Sequence, residues 1–224
     1  MNLSRALIEI YDLLYDRYGP QYWWPGETRD EIIIGAILTQ NTNWKNVEKA
    51  IENLKSKNLL TLTALRNAEI KEIAQCIRPS GYYNQKATRL QEIAKFFHEN
   101  GLQSLGALSI ANMRKELITL KGIGPETADS ILLYAFEKPV FVIDTYTTRI
   151  FQRLGFFPDG ISYDEAQNFF MQNLQENIEL FNEFHALFVR HAKEYCQKNP
   201  YCAKCVLLKK CKFENKNHDL NKKQ

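Results

Sequence analysis

The sequence predicts an all-α protein. Three observations carry this: apolar residues recur at helical spacing along most of the chain, Gly/Pro/Asn clusters separate the periodic stretches, and only one short run reads as a strand. Leu3 to Arg17 has a stripe of Leu7, Ile8, Ile10, Tyr11 and Leu14, and Gly19-Pro20 stops it. Asp30 to Asn41 and Val47 to Leu54 keep the same period. Pro79-Ser80-Gly81 parts the helical stretch Ile70 to Ile77 from Lys86 to Phe97, and Glu99-Asn100-Gly101 closes the second. Asp129 to Ala135 and Tyr146 to Leu154 flank the strand-like run Pro139 to Ile143, which has no neighbouring candidate and so makes no sheet. Pro158-Asp159-Gly160 marks another turn, no internal repeat is visible, and Asn215 to Gln224 reads as a frayed tail.

The chain has 224 residues, 45% hydrophobic and 25% charged, which excludes disorder as the main state and allows one large domain or two compact ones. A chain of this size buries about 70% of the surface its unfolded form exposes, so the five cysteines are not needed as staples. The longest apolar run, Ile32 to Leu38, is seven residues, where a membrane span takes about 20. Arg5, Glu9 and Asp12 stand where a secretory leader would be apolar. The expectation is an intracellular protein of the cytoplasm or nucleoid, without a membrane partner. The net charge of +3 divides unevenly: from Arg190 onward ten Lys/Arg face three acidic residues, a net of +7 over 35 residues. A basic end on a faintly acidic body suits a polyanion, through counterion release, as it also suits a solvated tail.

Three motifs carry chemistry. Leu120-Lys121-Gly122-Ile123-Gly124-Pro125-Glu126-Thr127-Ala128 lies between helical stretches. Its two glycines permit a tight hairpin whose backbone N–H groups touch an anion, or an ordinary helix-helix turn. Asp144 follows Val140-Phe141-Val142-Ile143, 18 residues after Glu126, and opens a helical segment. That place suits a helix N-cap, and equally a carboxylate that activates water or stabilises a cationic transition state. Finally, Cys196, Cys202, Cys205 and Cys211 fall within 16 residues with gaps of five, two and five. Such a cluster without a secretory signal points to metal, and its spacing leaves zinc and an iron-sulfur cluster both open. Cys76, apart from them in an apolar helical stretch, reads as a core residue.

Together the Gly-Ile-Gly hairpin, the Val-Ile-Asp-Thr segment and the four-cysteine loop resemble the endonuclease III branch of the helix-hairpin-helix (HhH-GPD) DNA glycosylases, from about Glu31 to Cys211. The resemblance implies a six-helix barrel over residues 26–136 and a second domain, built from 1–25 and 137–224, that carries a [4Fe-4S] cluster on the four cysteines. It implies DNA across the cleft between them, Asp144 as the catalytic aspartate, and Lys121, Gly122, Ile123, Gly124 and Thr127 as the DNA-binding hairpin. The first cysteine gap is one residue shorter than is usual in endonuclease III. A second departure bears on chemistry: members with lyase activity place a Schiff-base lysine two residues past the second hairpin glycine, and here that position is Glu126. The expectation is a monofunctional glycosylase that leaves the strand intact.

Trp23-Trp24-Pro25, Leu38-Thr39-Gln40-Asn41-Thr42-Asn43-Trp44 and Arg78-Pro79-Ser80-Gly81-Tyr82-Tyr83-Asn84-Gln85-Lys86 are similar to the 3-methyladenine DNA glycosylase III group. This implies that Trp23 and Trp44 flank a flipped N-alkylated purine, that Trp24 and Pro25 shape the pocket, and that Gln40 or Asn41 fills the hole left in the duplex. The implied partner is damaged double-stranded DNA, bound by a monomer. Two other readings stand beside it: a glycosylase for oxidised pyrimidines or mismatched bases, and a non-catalytic iron-sulfur DNA-binding protein, against which Asp144 weighs.

Overall fold

The computed structural model describes residues 2–213, and among these there are twelve α-helices and no strand. The expected tail, Asn215 to Gln224, lies outside the described residues. In chain order the helices are α1 Leu3–Tyr18, α2 Arg29–Leu38, α3 Trp44–Ser56, α4 Leu62–Asn67, α5 Ile70–Cys76, α6 Tyr83–Asn100, α7 Leu102–Ala107, α8 Ile110–Thr119, α9 Pro125–Ser130, α10 Thr145–Leu154, α11 Tyr163–Asn173 and α12 Ile178–Glu194. None of them is long and apolar enough to cross a membrane. Side chains that answer the first free N–H groups start most of them: Asn2, Thr28, Asn43, Thr61, Ser109, Asp144 and Asn177 cap, and Ser162 with Glu165 forms a reciprocal box.

The chain divides into two compact units. Residues 24–138 form one, and the segment up to Trp23 with the chain from Pro139 onward forms the other. In the first, α2 is the central helix, because every residue from Ile33 to Leu38 is buried rather than one face alone. After α9 the expected helix does not continue as an α-helix: Ile131–Ala135 widens into a π-helical turn. All five of its residues are buried, and Arg29 Nε donates to Ala135 O at 2.8 Å to answer its end. Cys76 is buried in α5.

The second unit packs α1, α10, α11 and α12 around stacked phenylalanines. Phe141 lies parallel to Phe170 at 4.0 Å between ring centroids, and Phe151, Phe184 and Phe188 close around them. Val140 to Ile143 is buried, unpaired backbone among the described residues. Its polar groups are met by α11 instead of a sheet, since Gln167 Nε2 donates to Phe141 O at 2.8 Å and Phe141 N donates to Met171 Sδ at 3.4 Å. Phe170→Ala removes the ring at the centre of this stack and should cost about 3–5 kcal/mol. That corresponds to a thermal midpoint lower by roughly 10 °C. A shift of less than about 2 °C in a circular dichroism melt would mean that the stack does not carry this unit.

Candidate active site

In the first unit the hairpin between α8 and α9 turns at Gly122, whose φ of +83° suits glycine. A Cβ there would fall 2.1 Å from Arg89 Nε, so the Arg89 side chain of α6 would have to swing aside. Lys121, Gly122 and Gly124 are exposed, as the DNA-binding expectation requires. Ile123 and Thr127 are not: their side chains are 4% and 8% exposed, and the Thr127 hydroxyl accepts from Gln40 Nε2 at 2.9 Å. Packing therefore keeps those two residues away from the surface. Glu126 is exposed in the first turn of α9.

The turn after α2 holds the two candidates for filling the duplex. Gln40 is spent inside the protein: its amide also donates to Gly122 O at 3.1 Å, and its Oε1 accepts from Arg89 Nη1 at 2.6 Å. Asn41 is exposed and sits in the left-handed region at φ +52°. Tyr82, a residue given no role by sequence reasoning, is 65% exposed with φ +46°, an uncommon backbone for a bulky side chain. Lys86 has the opposite environment. It is 1% exposed, and its ammonium donates to Leu38 O at 2.9 Å and Ser80 O at 2.8 Å. Burial, with the nearby Arg89 charge, lowers its pKa to about 8.

Trp24 and Trp44 meet edge to face with ring centroids 5.3 Å apart, and Trp24 leans on Tyr134 of the π-helical turn at 5.1 Å. Both tryptophans are half-buried, Pro25 is exposed, and Gly35 permits the approach, since a Cβ there would lie 3.2 Å from the Trp24 indole. Trp23 is half-buried and belongs to the second unit. Tyr134 was not foreseen, because inside an apolar helical run it reads as core.

In the second unit Asp144 is both the cap of α10 and a built carboxylate. Its Oδ1 accepts from Thr147 N at 2.6 Å, and His185 Nε2 of α12 lies 3.5 Å from Oδ2. The Asp144 side chain is 11% exposed and that of His185 is 7% exposed. Burial alone would push the carboxyl up, but the His185 bond and charge and the Thr147 amide outweigh it and hold the group below the usual aspartate range. His185 escaped sequence reasoning, although a polar residue inside Phe184 to Phe188 is a signal of a buried partner.

The cysteine loop lies against the same two helices. Arg153 Nη1 of α10 donates to Cys196 Sγ at 3.2 Å and to Gln197 O at 2.7 Å, and Arg149 Nε donates to Cys196 O at 2.8 Å. From α12, His191 Nε2 lies 3.5 Å from Cys205 Sγ. None of the five cysteines forms a disulfide. Among the described residues no group of three or more His, Cys, Asp or Glu is arranged to hold a metal ion. The four thiols nonetheless sense one another: burial first, then Cys196, Cys202 and Cys211, push the Cys205 thiol up to about 11. Four soft sulfur donors in one loop suit zinc or an iron-sulfur group.

Comparison with known proteins gives a consistent result. The profile of the HhH-GPD superfamily of base excision DNA repair proteins matches residues 34–176. A candidate DNA repair glycosylase of Methanocaldococcus jannaschii is 44% identical over 214 residues, 94% of this chain and 97% of that relative. An endonuclease III of Sulfolobus acidocaldarius is 30% identical, over 84% of each chain. Among solved structures, the H. pylori 3-methyladenine DNA glycosylase bound to 1,N6-ethenoadenine superposes with a TM-score of 0.75 at 32% identity, covering 86% of this chain and 98% of that one. A non-covalent endonuclease III-DNA complex superposes with a TM-score of 0.81, and its 22% identity makes it a likeness of fold alone.

The balance at Asp144 is open to measurement. In a His185→Ala variant burial acts against one fewer counterweight, so the Asp144 carboxyl should titrate at higher pH than in the native protein. Carboxyl carbon shifts followed by NMR between about pH 2 and 7 read this directly, and an unchanged titration would remove His185 from the account.

Proposed function

We propose, from the premise that this chain belongs to the HhH-GPD superfamily of base excision DNA repair proteins, that it releases N-alkylated purines of the 3-methyladenine kind from damaged duplex DNA, acting as a monomer and by hydrolysis alone. The chain is a DNA glycosylase by family, and DNA is its partner. The observation that carries the substrate is the aromatic group of Trp24, Trp44 and Tyr134, supported by the alkylpurine glycosylase among its structural neighbours. We assign Trp23 and Pro25 to the same pocket on the resemblance. A DNA substrate also places the protein with the chromosome, in cytoplasm or nucleoid.

The chemistry follows from the charge of the lesion. An N-alkylated purine is cationic, so its electron-poor ring gains about 1–3 kcal/mol from stacking and cation-π attraction over indoles. Normal purines gain less. The same charge weakens the glycosidic bond, whose electron pair leaves with the base and neutralises it. No strong acid is then required of the protein. The Asp144 carboxylate, kept ionised by His185 and the Thr147 amide, faces an oxocarbenium-like sugar. Water adds its hydroxyl to the sugar carbon and gives up a proton to the Asp144 carboxylate, which passes it to solvent. Asn41, exposed and free of the bonds that hold Gln40, is the side chain assigned to the vacated stack, and exposed Tyr82 offers an aromatic face. Lys121 and the exposed hairpin backbone are assigned to phosphate.

Glu126 supports the hydrolytic reading, because a carboxylate cannot form an imine. The four cysteines Cys196, Cys202, Cys205 and Cys211 are assigned to a [4Fe-4S] cluster rather than zinc. Four soft sulfur donors within one loop, and the kinship with endonuclease III, support that assignment. When bound, that group supplies a rigid cross-link for the loop.

Duplexes carrying one lesion each, assayed with and without alkali, test the substrate and the outcome together. Release of an alkylated purine with strand breakage only after alkali is expected. Asp144→Asn should slow release by at least about 100-fold while lesion binding persists, and activity within a few-fold of native would reduce Asp144 to a helix cap. Borohydride should trap no adduct with native protein, and Glu126→Lys should yield a weak one, since a nucleophilic lysine needs a depressed pKa. The 30% identity to an endonuclease III favours a second reading, a strand-cleaving enzyme for oxidised pyrimidines. Efficient trapping by native protein would establish that reading, with Lys121 as the nucleophile. Purified protein should be yellow-brown with about four irons per chain, and a colourless protein holding one zinc would overturn the cluster.

A further inference from the structure

We infer that Lys86 and Arg89 of α6 are positioning residues for base extrusion, holding the turn after α2, the Arg78–Ser80 turn and the hairpin as one unit that presents Asn41 to the duplex. The inference rests on the glycosylase reading above. Its ground is a buried polar network that packing alone does not require. Lys86 is 1% exposed yet charged, and its ammonium is answered by two carbonyls, Leu38 O and Ser80 O. Leu38 is the last residue of α2, so its carbonyl is one of those left without a partner inside the helix. The negative end of the helix dipole adds to the attraction. Three residues on, and so on the same face of α6, Arg89 packs on Gly122 and donates to Gln40, which in turn donates to Gly122 O and the Thr127 hydroxyl.

Two cations of one helix therefore fix both sides of the short segment that ends in Asn41. Asn41 itself sits at φ +52° and Tyr82 at φ +46°, each a conformation that its surroundings must hold. Extruding a base costs several kcal/mol in a well-paired duplex and least where pairing is already lost. A turn that loses its anchors would fail where extrusion is expensive and would suffice where it is cheap. A lysine that served only to stabilise the fold, or one that took part in bond cleavage, would give equal losses in both cases.

The test compares single-turnover excision from two duplexes carrying the same N-alkylated purine, one opposite its normal partner and one opposite an abasic-site analogue. Lys86→Met removes both bonds at nearly constant length. Lys86→Gln keeps a donor without the charge and serves if the methionine variant does not fold, folding being checked by melting. The expected result is a fall of about 10- to 100-fold with the paired lesion, a fall of less than about threefold opposite the abasic analogue, and partial rescue by glutamine over methionine. A 2-aminopurine beside the lesion, in the Asp144→Asn background, should lose its fluorescence rise on binding. Equal losses on both duplexes, or native rates on both, would overturn the inference. If native protein releases no base from either duplex, the alkylpurine reading fails and this inference with it; that outcome is recognised before any variant is made.

Discussion

A helix buried on every side cannot leave its last carbonyls to water, and α2 is such a helix. The first unit is arranged around the answer to that demand. With residues 33–38 buried without interruption, the end of α2 needs a donor from within, and the Lys86 ammonium supplies it. The cost of burying a cation is visible in a pKa drawn down to about 8, and the return is a fixed starting point for the turn that follows. From that point the chain makes Gln40 a bridge to the hairpin and leaves Asn41 outside. One requirement of hydrogen-bond accounting thus places three separate loops.

The second unit solves a related problem at the beginning of a helix. Asp144 satisfies the first turn of α10, as an ordinary cap does, but it is also faced by a histidine from α12. The same two helices reach the cysteine loop at their other ends, α10 through Arg149 and Arg153 and α12 through His191. Carboxylate and thiols are therefore held by common rods. The phenylalanine stack beneath them makes those rods rigid, since close-packed interiors transmit displacement rather than absorbing it.

Much of this was legible in the sequence because helices declare themselves by period and cap. Asp144 stands where a helix begins and Gly19 and Gly101 where one ends, whereas the caps Thr28, Asn43 and Ser162 and the helices α11 and α12 were not foreseen. The hairpin and the cysteine loop were visible through spacing. The π-helical turn was not, because five buried residues in succession carry no period to betray the wider coil. Nor was the inward turn of Ile123 and Thr127, since a hairpin motif does not say which of its side chains pack. His185 and Lys86 were missed as anchors for a different reason: a buried polar residue takes its meaning from a partner far away in sequence, 41 residues for His185 and Asp144 and 48 for Lys86 and Leu38.

The exposure of Glu126 has a consequence for how such enzymes diverge. Its side chain stands at the first turn of α9, where a negative charge is mildly favoured and a positive one mildly disfavoured, a difference of about 1 kcal/mol at a surface site. On the reading proposed here, one exposed position on a single architecture separates hydrolysis from a first trace of imine chemistry. On that reading the reaction type is set at the surface, whereas the anchors of the fold are buried.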